Sequence, residues 1–127
     1  MRIVTLLGLL LSASAFAGID WKPYSDSAFM NAQKMGKRVV LGFHKKGCGT
    51  CSAQDMALEK AGIKDAKNVE FLVVQRKNAD HKMVYEKYGF TARQWAAIIL
   101  FDGKKEVARI QPGTTSGPSI KKLVGML

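Results

Sequence analysis

The chain is sparing with cysteine, proline and acidic side chains, and each scarcity rules something out. It has only two cysteines and two histidines, Cys48, Cys51, His44 and His81. A structural zinc site needs four ligands in a finger-like arrangement, which this spacing does not supply. A covalently held haem needs histidine directly after the second cysteine, and Ser52 stands there. The three prolines fall at 23, 112 and 118, so the stretch 91–97 has none. After residue 17 no run is long and apolar enough to span a bilayer. There is no internal repeat, low-complexity stretch or interdomain linker. No nucleic-acid motif accompanies the positive charge.

What is present begins with Met1 and Arg2, an apolar run from Ile3 to Leu11, and small residues ending Ala15-Phe16-Ala17. A positive start, a hydrophobic stretch too short to cross a membrane and an A-x-A end predict a signal peptide over 1–17, cleaved after Ala17. The alternative is an uncleaved anchor helix, which the short length opposes. No cysteine follows the cleavage point, so nothing suggests a lipid anchor. The expected location is periplasmic or secreted. Residues 18–127 are then one domain with one core. They carry 19 basic and 10 acidic residues, a formal charge of +9. The lysines and arginines come in separate pairs such as Lys37-Arg38 and Lys121-Lys122. That scatter reads as a solvated surface, with acidic partners or anionic headgroups as the other possibility.

Along the domain, Trp21–Tyr24 predicts an irregular or short extended segment. Ser25 or Asp26 then caps a helix carrying Phe29, Ala32 and Met35, ended by Gly36. Val39–Phe43 is an unbroken apolar run, as in a strand buried on both faces. Ala53, Ala57 and Ala61 recur every four residues beside Leu58 and mark a helix face. A short turn or helix is expected near 63–66, then a strand over Val69–Val74. Asp80 is read as the cap of a helix that turns Met83, Val84 and Tyr88 inward. Ile98–Phe101 is a third strand, and Asp102-Gly103 a tight turn into Glu106–Ile110. Pro118 opens a last helix with Ile120, Leu123, Val124 and Leu127 on one face. Strands alternating with helices require parallel crossovers, and the hairpin adds an antiparallel neighbour. The expected class is α/β, a mixed four- or five-stranded sheet with helices on both faces.

The chemistry concentrates in Cys48-Gly49-Thr50-Cys51. A disulfide across two intervening residues closes a tiny loop and removes little unfolded-state entropy, so it is a poor staple. Cys48 stands between a buried strand and a helix, where unpaired N–H groups and the helix dipole favour a thiolate. Lys45 and Lys46 add positive charge just upstream. Thiolate is the attacking form, so Cys48 is the expected nucleophile and Cys51, one turn deeper, the resolving thiol. The competing assignments are metal binding and an inert disulfide.

At this point the chain resembles the thioredoxin superfamily. The likeness rests on Val39–Phe43 running into Gly47-Cys48-Gly49-Thr50-Cys51, on Tyr88-Gly89-Phe90-Thr91, on Ile98–Asp102 and on Gly103–Val107. Within the superfamily it is similar to exported thioredoxin-like proteins that handle disulfides in the bacterial periplasm. The resemblance implies a thiol–disulfide oxidoreductase with Cys48 as attacking and Cys51 as resolving thiol, and no cofactor. It implies protein thiols or disulfides and a redox partner protein as partners, with no nucleic acid and no membrane span after cleavage. No separate dimerisation domain is visible, and a monomer is expected.

Three departures from the superfamily pattern stand out. Gly47 replaces the usual aromatic before the first cysteine, and Gly42 replaces a buried acid. The loop Thr91–Ala97 lacks the proline whose cis bond faces the cysteines. A cis bond before a non-proline residue costs roughly 3 kcal/mol, so a trans loop of different shape is expected. Trp95 and Ala96 are the substrate-contact candidates there, with Trp95 as a plain core or rim aromatic being the other reading. His44 beside the two thiols raises a second function, a non-enzymatic module that binds a soft metal such as copper(I) or docks a partner. His81 is expected at the surface. The five methionines beyond Met1 are expected mostly at core-like positions, which argues against a methionine-rich copper site.

Overall fold

A computed structural model describes residues 18–75, 79–91 and 94–127. The expected signal peptide, 1–17, lies outside the described residues. The elements are β1 (Lys22–Pro23), α1 (Asp26–Lys34), β2 (Arg38–His44), α2 (Gly49–Lys60), a 3-10 turn (Ile63–Asp65), β3 (Val69–Gln75), α3 (Ala79–Lys87), β4 (Ala97–Asp102), β5 (Lys105–Ile110) and α4 (Gly117–Val124). They build one five-stranded sheet in the order β1-β3-β2-β4-β5. β3 runs parallel to both β1 and β2, while β4 is antiparallel to β2 and β5. This is the expected mixed sheet, at the upper of the two strand counts. No helix among the described residues is long and apolar enough to cross a membrane.

Central position explains why β2 and β4 lack hydrophobic alternation. Successive side chains point to opposite faces, and here both faces are covered. Val39, Leu41 and Phe43 join Ala97, Ile99 and Phe101 in one core with Tyr24, Ala32, Val84 and Tyr85 from the α1–α3 side. Val40, Ile98 and Leu100 pack into the other with Leu58, Ile120 and Leu123 from α2 and α4. Ser25 caps α1 by accepting the Ala28 N–H at 3.0 Å, settling the choice between Ser25 and Asp26. Gly36, in the left-handed region at φ +72°, follows that helix as expected.

Several local expectations are corrected. The buried face of α2 is Cys51, Gln54 and Leu58, while Ala53 is exposed. Small alanines are weak markers of a face because they tolerate either environment. The hairpin turn is Gly103-Lys104, one residue later than expected, since Asp102 still pairs with Lys105. Gly103 at φ +61° supplies the positive dihedral a two-residue turn needs. Asp80 lies within the first turn of α3 rather than before it. Met83 points outward, and Met30, Met35, Met56 and Met126 are exposed too, so the core-like placement of the methionines fails. Phe29, Ala32, Leu58, Val84 and Tyr85 already fill the inward stripes of these short helices.

Candidate active site

The site forms where β2 ends and α2 begins. Gly47 adopts φ +73°, a left-handed turn in which any side chain is strained, so an aromatic is disfavoured there. Cys48 is the N-cap of α2, and its Sγ accepts the Cys51 N–H at 3.0 Å. Helix-terminal N–H groups are otherwise unsatisfied, so a sulfur at this place is held where negative charge is favoured. Cys48 and Cys51 form a disulfide, with Cα atoms 5.3 Å apart. Cys48 is half-buried and Cys51 only 5 % exposed. An attacking sulfur must meet its partner, whereas a resolving sulfur need only reach the first one.

The cysteines open onto a cleft of about 730 Å³ shared with His44, Lys45, Lys46, Ser52, Asp55 and Gln75. Lys45 and Lys46 therefore stand at the rim beside Cys48. Lys45 also lies over the Trp95 ring, its Nζ 3.9 Å from the centroid. One residue expected to tune the thiolate thus touches one expected to meet substrate. Trp95 is half-buried.

Ala96 is fully buried, and its φ of +59° is unusual for a residue with a Cβ. Such a conformation costs of order 1–3 kcal/mol and persists where surroundings enforce it. Its N–H donates to Phe43 O at 2.7 Å. Its carbonyl accepts from Gln54 Nε2 at 2.7 Å and from the Gly113 N–H at 3.0 Å. Gln54 Nε2 also donates to Thr114 O at 2.8 Å. Both main-chain groups of Ala96 are engaged inside the protein, which leaves Trp95 as the accessible member of the pair. Ala92 and Arg93 of the same loop lie outside the described residues.

Residues that sequence reasoning passed over complete the site. Trp21 donates its Nε1–H to Asp55 Oδ2 at 3.0 Å and packs edge-on against His44, ring centroids 5.0 Å apart. It fills the volume over Gly42: a Cβ there would sit 2.9 Å from Trp21 and 3.2 Å from His44 Nε2. His44 is on the same face of β2 as Val40 and Gly42. Its Nε2 lies 4.0 Å from Asp55 Oδ1, and both atoms are buried without a hydrogen-bond partner. Burial pushes the His44 pKa down to about 4 and, as the leading cause, raises that of Asp55. At neutral pH His44 is uncharged, so the two form no ion pair. The available signal was the i, i+4 spacing of Cys51 and Asp55, which puts both on one face of a helix.

His81 is corrected from surface to core. It is 8 % exposed, its Nδ1 accepts the Gln75 N–H at 3.0 Å, and its Nε2–H points to Tyr24 O at 3.2 Å. Among the described residues no group of three or more His, Cys, Asp or Glu side chains is arranged to hold a metal.

No protein-family model and no curated protein matches the chain in sequence. Solved structures do match in shape. A protein called Trxlp from Edwardsiella tarda superposes with a TM-score of 0.63 at 24 % identity, over 80 % of this chain and 95 % of that one. Oxidised thioredoxin O2 from Arabidopsis thaliana gives 0.63 at 17 % identity, over 80 % and 84 %. Oxidised thioredoxin from Plasmodium falciparum gives 0.62 at 18 % identity, over 84 % and 97 %. The chain has the thioredoxin fold, with a cysteine pair of C-x-x-C spacing at the start of α2.

Proposed function

We propose that this protein is an exported thiol–disulfide oxidoreductase acting on protein thiols or disulfides through Cys48 and Cys51. The observation that carries the reading is the half-exposed Cys48 sulfur at the N-cap of α2, receiving the Cys51 N–H at 3.0 Å, with Cys51 buried behind it. In the reducing direction the Cys48 thiolate attacks one sulfur of a substrate disulfide. A Cys48–substrate bond forms and the other substrate sulfur leaves as thiolate. Cys51, once deprotonated, attacks Cys48 Sγ, the substrate's second thiolate departs, and the Cys48–Cys51 disulfide remains. Two electrons from a partner dithiol restore the pair. In the oxidising direction the same steps run backwards, and the reduction potential of the pair decides between them. A lowered Cys48 pKa stabilises the reduced form and favours oxidation of substrates.

Export rests on the Met1–Ala17 pattern alone. The scattered positive charge is that of a solvated surface open to acidic partners, and export together with the lack of a nucleic-acid motif speaks against nucleic acid. No specific observation favours a metal-binding module over this reading.

The test is exchange of the reduced protein with glutathione disulfide, together with the pH profile of Cys48 alkylation. Cys48 is expected to titrate well below the roughly 8.5 of a free thiol. Cys48→Ser should abolish exchange, and Cys51→Ser should accumulate a mixed disulfide. An ordinary Cys48 pKa with no exchange would overturn the reading.

A further inference from the structure

We propose that Asp55, seated by Trp21 and backed by His44, is the group that accepts the proton from the Cys51 thiol when Cys51 resolves a mixed disulfide. The inference rests on the exchange reading above and deepens it. Cys51 is 5 % exposed, so bulk water has poor access to its thiol, yet it must lose a proton before it can attack. Asp55 follows it by one helical turn, which brings side chains on a common face to neighbouring positions. Both border the same cleft.

The carboxylate there is arranged unlike a surface one. Its Oδ2 is held by the Trp21 indole at 3.0 Å, while Oδ1 is buried with no hydrogen-bond partner. The group opposite Oδ1 is His44 Nε2 at 4.0 Å, equally unpartnered. A buried acceptor left empty is costly, and a proton is what this one lacks. Burial is the leading influence and raises the Asp55 pKa, the Trp21 hydrogen bond lowers it, and Glu59, one turn further along α2, adds a smaller upward push. Lys45 and Lys46 are the cations bordering the cleft. Gly42 on β2 leaves the space that the indole occupies, so the strand carries no acid of its own here.

The step balances as follows. The Cys51 S–H bond breaks and its proton passes to the Asp55 carboxylate. The Cys51 sulfur forms a bond to Cys48 Sγ as the Cys48–substrate bond breaks, and the substrate thiolate departs with that electron pair. The proton then leaves Asp55 for the thiolate or for solvent. In the reverse direction Asp55 returns the proton to Cys51.

The experiment charges Cys48 with glutathione as a mixed disulfide and follows its release, alongside alkylation of Cys48 in the fully reduced protein. Asp55→Asn keeps the shape and an acceptor for Trp21 but removes the base. Release should slow tenfold or more, within the range general bases supply, while alkylation at pH 7 stays within about threefold. The wild-type release rate should fall as pH drops through the raised Asp55 pKa, and this acid limb should vanish in Asp55→Asn and persist in Asp55→Glu. Trp21→Phe keeps an aromatic ring but loses the N–H donor, so the limb should move to higher pH. Release from Asp55→Asn at the wild-type rate would overturn the proposal, as would equal slowing of both steps or an acid limb unmoved by Trp21→Phe. A wild-type protein that forms no mixed disulfide at all would instead defeat the exchange reading itself.

Discussion

The two faces of the sheet treat their histidines in opposite ways. On α3, His81 is buried with both ring nitrogens engaged, tying the end of β3 to Tyr24. Under α2, His44 is comparably enclosed, yet its Nε2 meets only an equally unpartnered carboxylate oxygen. Buried polar groups in folded proteins nearly always find partners. The α3 face follows that rule and is architecture. The α2 face breaks it next to the cysteines, where an unsatisfied acceptor and donor have chemical use. Gln54 marks the boundary, because its amide N–H groups are fully used while its Oε1 is left without a partner.

The largest break in this comparison should come from Gln54→Ala. It empties a fully buried position and strips two donors, leaving Thr114 O without its Gln54 bond and Ala96 O with only the Gly113 N–H. Cavity and lost hydrogen bonds together should cost about 3–4 kcal/mol in urea unfolding at pH 7. Exchange should slow as well, since the Ala96 conformation depends on that amide. Full stability in this variant would show that the loop holds itself.

Next in size is the pH response of His44. Its pKa is about 4 in the folded protein against roughly 6.5 in an unfolded chain. Above that upper value the imidazole is neutral in both states. Between the two values only the unfolded chain takes the proton, so stability falls as pH is lowered across the window and levels off below it. The span corresponds to as much as about 3 kcal/mol. Asp55, with its pKa raised, works in the opposite sense, gaining stability as pH falls through its own titration. Subtracting the curve of His44→Leu from that of the wild type isolates the histidine. Parallel curves would refute its burial as a neutral base.

The same replacement at the two histidines sharpens the contrast further. His81→Leu abandons the Gln75 N–H and the Tyr24 carbonyl and should cost about 2 kcal/mol at pH 7. His44→Leu gives up no hydrogen bond at Nε2 and should stay within about 1 kcal/mol of the wild type. Denaturant midpoints at pH 7 decide this, and equal losses would erase the distinction drawn between the faces.

How much of this was legible beforehand follows the strength of each local signal. The central strands announced themselves, because Val39–Phe43 and Ile98–Phe101 are buried on both faces and tolerate nothing polar. The cysteine turn was legible for the same reason, since it sits where a buried strand must give way to a helix. The outward methionines were not, because a flexible thioether fits a core and a surface alike. Nor was the role of His81, whose partners are main-chain groups of distant segments and leave no trace in side-chain identity. Trp21, His44 and Asp55 come together only once the chain folds, from β1's leading edge, the end of β2 and the second turn of α2. By sequence alone, Gly42 marks only the place of a missing acid. The structure turns it into a space that Trp21 requires.

The smallest expected effect tests the cleft's outer rim. Lys45 Nζ sits 3.9 Å from the centre of the Trp95 ring, a contact worth about 0.5–1 kcal/mol when partly exposed. Lys45→Met keeps most of the stem and removes the charge, so stability should drop by no more than that amount, while the Trp95 fluorescence shifts. If the charge also serves the thiolate, the Cys48 alkylation profile should move to higher pH in the same variant. Movement of the fluorescence without the profile would assign Lys45 to the tryptophan alone and leave the start of α2 as the source of thiolate stability. Movement of both would mean that one lysine couples the Trp95 ring to the Cys48 sulfur, and that the α2 face is organised around Cys48 out to its edge.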